Sequence, residues 1–101
     1  RDFLFSTDAA SGLINIMNNL TGPVNLASGR VIAIKSIVDI LSEITGVQNI
    51  VWDATKPNGQ LQRSYDAEKL QKTGFSTQVD IAEGLKLTWD WYCTNHEKAR
   101  V

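Results

Sequence analysis

The first 29 residues, RDFLFSTDAASGLINIMNNLTGPVNLASG (1–29), contain the pattern that decides the predicted fold. Residues 1–7 are rich in aromatic and apolar side chains and predict a short strand. Asp8 is expected to cap a helix by accepting hydrogen bonds from the amides of its first turn, and the run Thr21-Gly22-Pro23 ends that helix. Residues 24–27 predict the next strand. A strand, a helix and a strand in succession indicate an α/β fold.

The remainder of the chain continues this alternation. Residues 31–34 and 49–53 predict two more short strands, residues 54–62 predict a polar loop, and a short and a long helix follow. Trp52 in the last of these strands is expected to lie in the core. We therefore predict one small α/β domain over residues 1–101, similar to an α+β substrate domain, with a short-stranded sheet and helices packed against it.

Apolar residues at helical spacing predict the buried face of each long helix. The predicted buried residues are Leu13, Ile16, Met17 and Leu20 in the first helix, Ile37, Val38, Leu41 and Ile44 in the second, and Ile81, Leu85, Trp89 and Tyr92 in the last.

Glycine and acidic residues mark the ends of the later helices. Gly46 lies where a left-handed C-terminal cap is expected. Asp66 can cap the short helix, which Gly74 closes, and Asp80 begins a capping box at the start of the last helix. The pair Asn58-Gly59 predicts a tight turn, because both residue types tolerate positive φ.

Composition excludes several classes of protein. The chain has ten basic and eleven acidic side chains, and its net charge of -1 lacks the basic excess that nucleic-acid binding requires. No signal peptide and no apolar run of about 18 residues is present, so we predict neither a nucleic-acid nor a membrane partner. A single cysteine permits no intrachain disulfide and favours the reducing cytoplasm.

Residues for catalysis, cofactor binding or metal binding do not form a recognisable set. Cys93 and His96 are spaced i, i+3 and share the ligand chemistry of zinc sites, but a metal site needs further ligands. The chain has no G-x-G-x-x-G, Walker, H-E-x-x-H or G-x-S-x-G sequence. We therefore predict no catalytic residue, no metal and no cofactor bound by these residues alone.

The loop after the fourth predicted strand is the exception. Lys56, Asn58 and Arg63 place two cations and an amide on one irregular segment. Arginine and lysine beside flexible backbone suit a phosphate group, which arginine can bind through two parallel hydrogen bonds. From composition alone, however, a solvated surface loop is the simpler interpretation.

Four segments of the chain together resemble one known family. R-D-F-L-F-x-x-D-A (1–9), V-N-L-A-S-G (24–29) and E-G-L-K-L-T-W-D-W-Y (83–92) are similar to segments of extended short-chain dehydrogenases/reductases that act on nucleotide sugars, the NAD-dependent epimerase/dehydratase family. I-V-W-D-A-T-K-P-N-G-Q (50–60) resembles the K-P-D-G passage of the GDP-L-fucose synthase branch. The order and spacing are kept across essentially the whole chain.

The resemblance implies a division of labour between two domains. In that family an N-terminal Rossmann domain binds NADP(H) and carries the catalytic Ser and Tyr-x-x-x-Lys groups, and a smaller C-terminal region holds the nucleotide diphosphate of the sugar. The chain begins at Arg1 rather than methionine. We therefore expect a C-terminal substrate-binding domain, inactive alone, of a cytoplasmic NADP-dependent GDP-sugar epimerase/reductase, both an oxidoreductase and an isomerase, whose Rossmann domain is absent from this chain.

The resemblance also assigns roles to four residues. Arg1 matches an arginine that contacts the substrate, and Arg63 matches a basic position near the diphosphate. Asn58 matches an acidic position that faces the nucleoside, and Lys56 matches a lysine of the loop. Because an asparagine replaces the aspartate at position 58, the selection of guanine is open. Ala33 stands where a serine or threonine would cap the next helix.

Three alternatives follow from the same residues. The intact enzyme could act instead on a UDP-, CDP- or dTDP-sugar as another epimerase or dehydratase. The chain could also be a free-standing, non-catalytic module that binds nucleotide sugars. Exposed strand edges could support a homodimer.

Overall fold

The structure, a computed structural model, describes residues 1–99. Its helices are α1 (Ser6–Asn19), α2 (Ile34–Thr45), α3 (Glu68–Gln71) and α4 (Ile81–Asn95), and a 3-10 turn, His96–Lys98, follows α4. Helix α2 packs against α4. None of the helices in residues 1–99 is long and apolar enough to cross a membrane.

The predicted sheet is wrong for the described part of the chain, because residues 1–99 contain no β-strand. This corrects all four predicted strands, at residues 1–7, 24–27, 31–34 and 49–53. The nearest approach to strand pairing joins Arg1 and Ile32, where Ile32 N donates to Arg1 O at 2.8 Å and Arg1 N donates to Ile32 O at 2.8 Å. A strand needs a neighbour along several residues, and this pairing stops after one residue.

Helix α1 begins earlier than predicted, and this changes the role of Asp8. The helix starts at Ser6 after Phe5 at the N-cap, whose side chain makes no cap bond. Asp8 therefore lies inside the first turn and is not the predicted cap. Its side chain is 3% exposed, and its two oxygens accept from Gln78 N and Val79 N, each at 3.0 Å. A buried carboxylate thus joins α1 to the segment before α4.

The predicted buried face of α1 is wrong for two of its four residues. Leu13 is 59% exposed and Met17 is 74% exposed, whereas the other two predicted residues are half-buried. The closest packing of the helix is at Gly12, which is buried. A Cβ atom on Gly12 would lie 2.4 Å from Leu26 Cδ1 and 3.2 Å from Phe75 Cζ. The absence of a side chain there lets α1 lie directly on these two residues.

The predictions for α2 and its ends are confirmed. Ile37 is buried and the other predicted residues of the buried face are half-buried. Gly46 has a φ of 75° and donates its amide to Ser42 O at 2.9 Å, which closes the helix as a left-handed cap. Ala33 occupies the N-cap position and supplies no side-chain bond, as its identity requires.

The predictions for α4 are also largely confirmed. Asp80 caps the helix, because its Oδ1 accepts from Glu83 N at 2.8 Å. The predicted buried face is half-buried as far as Trp89, and Tyr92 at its end is 39% exposed. The rings of these two aromatic residues stack with centroids 6.0 Å apart.

Helix α3 is short but carries the most deeply buried large side chain of the described residues, Leu70, whose exposure is 0%. The predicted cap at Asp66 is displaced by one residue, because the N-cap position is occupied by Ala67, although Asp66 Oδ1 accepts from Glu68 N at 2.9 Å. Lys69 Nζ donates to Thr21 O at 2.9 Å and to Pro23 O at 3.2 Å. These bonds hold α3 against the segment that follows α1.

Residues 46–66 form a long exposed segment between α2 and α3. Trp52 is 58% exposed, so its predicted place in the core is wrong. The predicted turn at Asn58-Gly59 is also wrong, because neither residue has positive φ and the chain turns at residues 54–56 instead. The radius of gyration of 16.1 Å exceeds the value of about 13 Å for a compact domain of 100 residues, as expected when a segment of this length lies outside the core.

Candidate functional site

The turn that opens the cationic loop is built around Asp53. Its Oδ1 accepts from the Thr55 hydroxyl at 2.5 Å and from Thr55 N at 3.0 Å. The hydroxyl bond, and after it the amide bond, holds the pKa of the Asp53 carboxyl below its usual range. Lys56 N donates to Asp53 O at 3.4 Å. These three bonds stabilise the turn that precedes the exposed residues of the loop.

Arg63 lies at the far end of the loop with most of its donors unused. Its Nε donates to Gln60 Oε1 at 2.9 Å. Within residues 1–99, no hydrogen bond or ion pair uses its Nη groups. Because guanidinium has five N–H donors, the remaining donors are free to bind an anion in solution.

Arg1 reaches the same loop from the other end of the chain. A Cβ atom placed on Gly59 would lie 3.7 Å from Arg1 Nη2. The guanidinium therefore lies close to Gly59 of the K-P-N-G sequence, at a distance at which an added Cβ would make only an ordinary van der Waals contact. The structure thus brings Arg1 together with the loop that carries the other three predicted site residues.

Lys56 and Asn58 are placed less specifically. Both are exposed. Among the hydrogen bonds of residues 1–99, none joins either side chain to Arg1 or Arg63. The structure places these two side chains on the loop without giving them a defined partner.

A cavity of about 410 Å³ lies beside α4, away from the loop. Its walls are mostly apolar and include Phe3, Phe5 and Leu85. Arg30 lies among the polar lining residues, and its Nη2 donates to Thr77 Oγ1 at 2.9 Å. A second, more open cavity of about 600 Å³ lies beside α3. Neither of these two cavities is lined by a predicted site residue.

Sequence reasoning missed the residues that hold Arg1 in place. Asp2 accepts from Ser28 N through Oδ1 and from Gly29 N through Oδ2, each at 2.9 Å. The signal was present in the run R-D-F-L, where an acid follows the arginine directly. The role of this acid depends on its bonds to a turn 26 residues further along the chain. The spacing of apolar residues does not predict where that turn lies.

Within residues 1–99, the Cys93/His96 pair is not part of a larger cluster of metal-binding side chains. Cys93 is exposed, and His96 Nδ1 lies 3.4 Å from the carbonyl oxygen of Cys93. In the part of the chain that the structure describes, no group of three or more His, Cys, Asp or Glu side chains is arranged to hold a metal ion.

Comparisons with known proteins identify the class to which this fold and loop belong. No protein-family model matches the chain. The probable GDP-L-fucose synthase 1 of Oryza sativa subsp. japonica is 36% identical over 98 residues, which are 94% of this chain and 30% of the rice protein. GDP-L-fucose synthase 1 of Arabidopsis thaliana is 32% identical over the same shares.

Solved structures agree with the sequence comparison. The Bordetella bronchiseptica enzyme WbmF, in complex with NAD⁺ and UDP, matches 97% of this chain with a TM-score of 0.78 and 35% identity, over 30% of the WbmF chain. The chain belongs to the extended short-chain dehydrogenases/reductases and corresponds to a C-terminal part of them. Within that family it is similar to the GDP-L-fucose synthases, and it spans about 30% of the length of these relatives.

Proposed function

We propose that this chain is the nucleotide-sugar-binding part of an NADP-dependent GDP-sugar epimerase/reductase that resembles GDP-L-fucose synthase. The observation that carries the proposal is the position of the Arg1 guanidinium against Gly59 in the K-P-N-G loop. Two segments separated by more than fifty residues meet there, with Arg63 and Lys56 on the same loop. Cations carried by both segments suit the diphosphate of a nucleotide sugar.

The chemistry available to these residues is binding and not bond breaking. Arg1 and Arg63 can donate charge-assisted hydrogen bonds to phosphate oxygens, and Asn58 can offer an amide to the nucleoside. By holding the substrate, they would orient the sugar ring toward catalytic groups and NADP(H) on a Rossmann domain outside this chain. The chain is then inactive alone, and the single cysteine favours a cytoplasmic enzyme.

Replacing Arg63 with alanine should weaken the binding of GDP to the protein encoded by the complete reading frame by about tenfold or more. A hydrogen bond to a charged group contributes about 1.5–3 kcal/mol, and about 1.4 kcal/mol corresponds to a tenfold change. Isothermal titration calorimetry measures the change. Lys86→Ala is the matched control, since Lys86 pairs with Asp90 at 2.6 Å on α4. Equal affinity of Arg63→Ala and wild type would contradict the role of Arg63.

A UDP-sugar is the second candidate substrate. WbmF, whose structure this chain matches, was solved with UDP, and Asn58 supplies no negative charge at the position facing the nucleoside. Titration of the wild-type protein with GDP and with UDP, under the same conditions, separates the two candidates. Tighter binding of UDP would replace GDP in the proposal and leave the diphosphate site unchanged.

The exposed apolar face of α1 is consistent with the hypothesis that a Rossmann domain packs against this chain. Leu13, Ile14 and Met17 are 59%, 57% and 74% exposed, and their spacing places them on one side of the helix. The relatives continue for about 70% of their length outside the matched part, because the match covers 30% of them. We propose that this part of the enzyme covers the apolar face of α1.

Met17→Glu in the complete protein is expected to lower its stability by about 2 kcal/mol, the contribution of burying one such side chain. Asn18→Glu adds the same charge at the next, exposed position of α1 and should change stability by less than about 0.5 kcal/mol. Thermal unfolding compares the two variants, and light scattering follows the subunit number. Equal melting temperatures would refute the covered face, and a loss of subunits in Met17→Glu alone would assign it to a second copy instead.

A further inference from the structure

Asp2 forms a two-point attachment to a turn that lies far away in the sequence. Its Oδ1 accepts from Ser28 N at 2.9 Å and its Oδ2 accepts from Gly29 N at 2.9 Å. These two amides are successive in the chain and converge on one carboxylate, at a turn where Gly29 has a φ of 75°, a conformation that glycine adopts without strain. A side chain at Gly29 would in addition meet Gln71 Nε2 at 2.8 Å.

The neighbouring residue is attached to the same stretch through its backbone. Arg1 O accepts from Ile32 N at 2.8 Å, and Arg1 N donates to Ile32 O at 2.8 Å. Four hydrogen bonds therefore fasten residues 1 and 2 to residues 28–32. The backbone from which the Arg1 side chain extends is fixed, and the freedom that remains to the guanidinium is that of its own rotamers.

The charge of Asp2 is directed away from Arg1. Both carboxylate oxygens are engaged by backbone amides, and no ion pair between Arg1 and an acidic side chain occurs in residues 1–99. The Arg1 guanidinium, with its Nη2 beside Gly59, therefore keeps its positive charge available. An aspartate that paired directly with Arg1 would instead neutralise it.

We propose that Asp2 is the positioning residue for Arg1, which it holds at the K-P-N-G loop so that the guanidinium meets the diphosphate of the substrate without rearrangement. The inference rests on the proposed nucleotide-sugar site. Its physical basis is pre-organisation, because an arginine on a loose backbone would lose more conformational freedom on binding than one already held in place.

A double-mutant cycle tests whether Asp2 acts through Arg1. Asp2→Ala, Arg1→Ala and the double variant are made in the protein encoded by the complete reading frame, and GDP and UDP are titrated by calorimetry. Asp2→Ala is expected to weaken binding about five- to tenfold in the wild-type background and by less than about twofold in the Arg1→Ala background, the coupling expected of residues that act as one unit. Equal factors in the two backgrounds would overturn the inference.

Two further variants distinguish a specific loss of affinity from a general loss of structure. Asp2→Asn keeps one side-chain acceptor and the shape of the residue, so it should retain the fold and lose part of the affinity, again only when Arg1 is present. Asp39→Ala removes an exposed carboxylate that pairs with Lys35 on α2 and should leave binding unchanged. If Asp2→Ala is unstable, the cycle is made with Asp2→Asn, and additivity there overturns the inference equally.

Failure of the inference is distinguishable from failure of the proposed function. A wild-type protein that binds neither GDP nor UDP overturns both. Wild-type binding that is weakened by Arg63→Ala, together with additive effects of the Asp2 and Arg1 variants, overturns the positioning role alone. Hydrogen exchange at the amides of Ser28 and Gly29 reports independently whether the turn has lost its acceptor.

Discussion

Replacing Leu70 with alanine should lower the stability of this part of the protein by about 2–5 kcal/mol, the usual cost of a cavity left by a buried leucine. Leu70 is fully buried, with an exposure of 0%. It lies in α3, which Lys69 fastens to the segment after α1 through bonds to Thr21 O and Pro23 O. The buried apolar residues of the described chain are few, so one cavity removes a large share of the core.

Hydrogen exchange in the complete protein measures this effect locally, because amides of residues 68–74 exchange faster when α3 opens more often. Leu61→Ala is the matched control, since it removes the same atoms from a side chain that is 93% exposed. That variant should exchange like the wild type. Similar exchange in the two variants would show that α3 does not depend on Leu70.

Replacing Asp8 with alanine is expected to destabilise the protein by at least about 2 kcal/mol. The substitution removes two hydrogen bonds to a charged acceptor and leaves the amides of Gln78 and Val79 without it. Because these bonds join α1 to the residues before α4, the packing of one helix relative to the other should loosen. The reason for the large effect is the burial of the carboxylate, which is 3% exposed.

Chemical denaturation followed by circular dichroism tests the role of Asp8. Asp39→Ala is the comparison, because Asp39 makes an exposed ion pair with Lys35 at 2.8 Å and such pairs contribute about 0–1 kcal/mol. Asp8→Asn keeps one acceptor and should fall between Asp8→Ala and the wild type. Equal denaturation midpoints for Asp8→Ala and Asp39→Ala would refute the bridging role.

The candidate site shows how far sequence reasoning reached. The K-P-N-G loop and its cations were found from residue types and from family resemblance, because the loop is contiguous in sequence. The resemblance alone gave the expectation that Arg1 contacts the substrate, whereas its approach to Gly59 is visible only in the structure. Asp2 was missed, since its function depends on the amides of Ser28 and Gly29, and no local pattern connects residue 2 to residue 28.

The helices were predicted well wherever local chemistry decides their ends. Gly46 closes α2 with positive φ, and Asp80 caps α4 through Glu83 N, because both interactions lie within a few residues of sequence. The sheet was not predicted correctly for the described residues, because strands are stabilised by neighbours that can lie anywhere in the chain. Extended segments such as residues 24–27 have strand-forming side chains without a ladder to join.

By itself, the sequence determined where α2 ends and where α4 begins, the cationic loop and the family to which the chain belongs. Only the tertiary structure decided which face of α1 is covered, because Gly12 and not Leu13 permits the close approach of Leu26. It also decided that Asp8 bridges two segments and does not cap a helix. The bonds that begin and end a helix form between residues close in sequence, so residue types alone predict them. Packing and burial depend on contacts with residues distant in the chain, which the sequence does not locate.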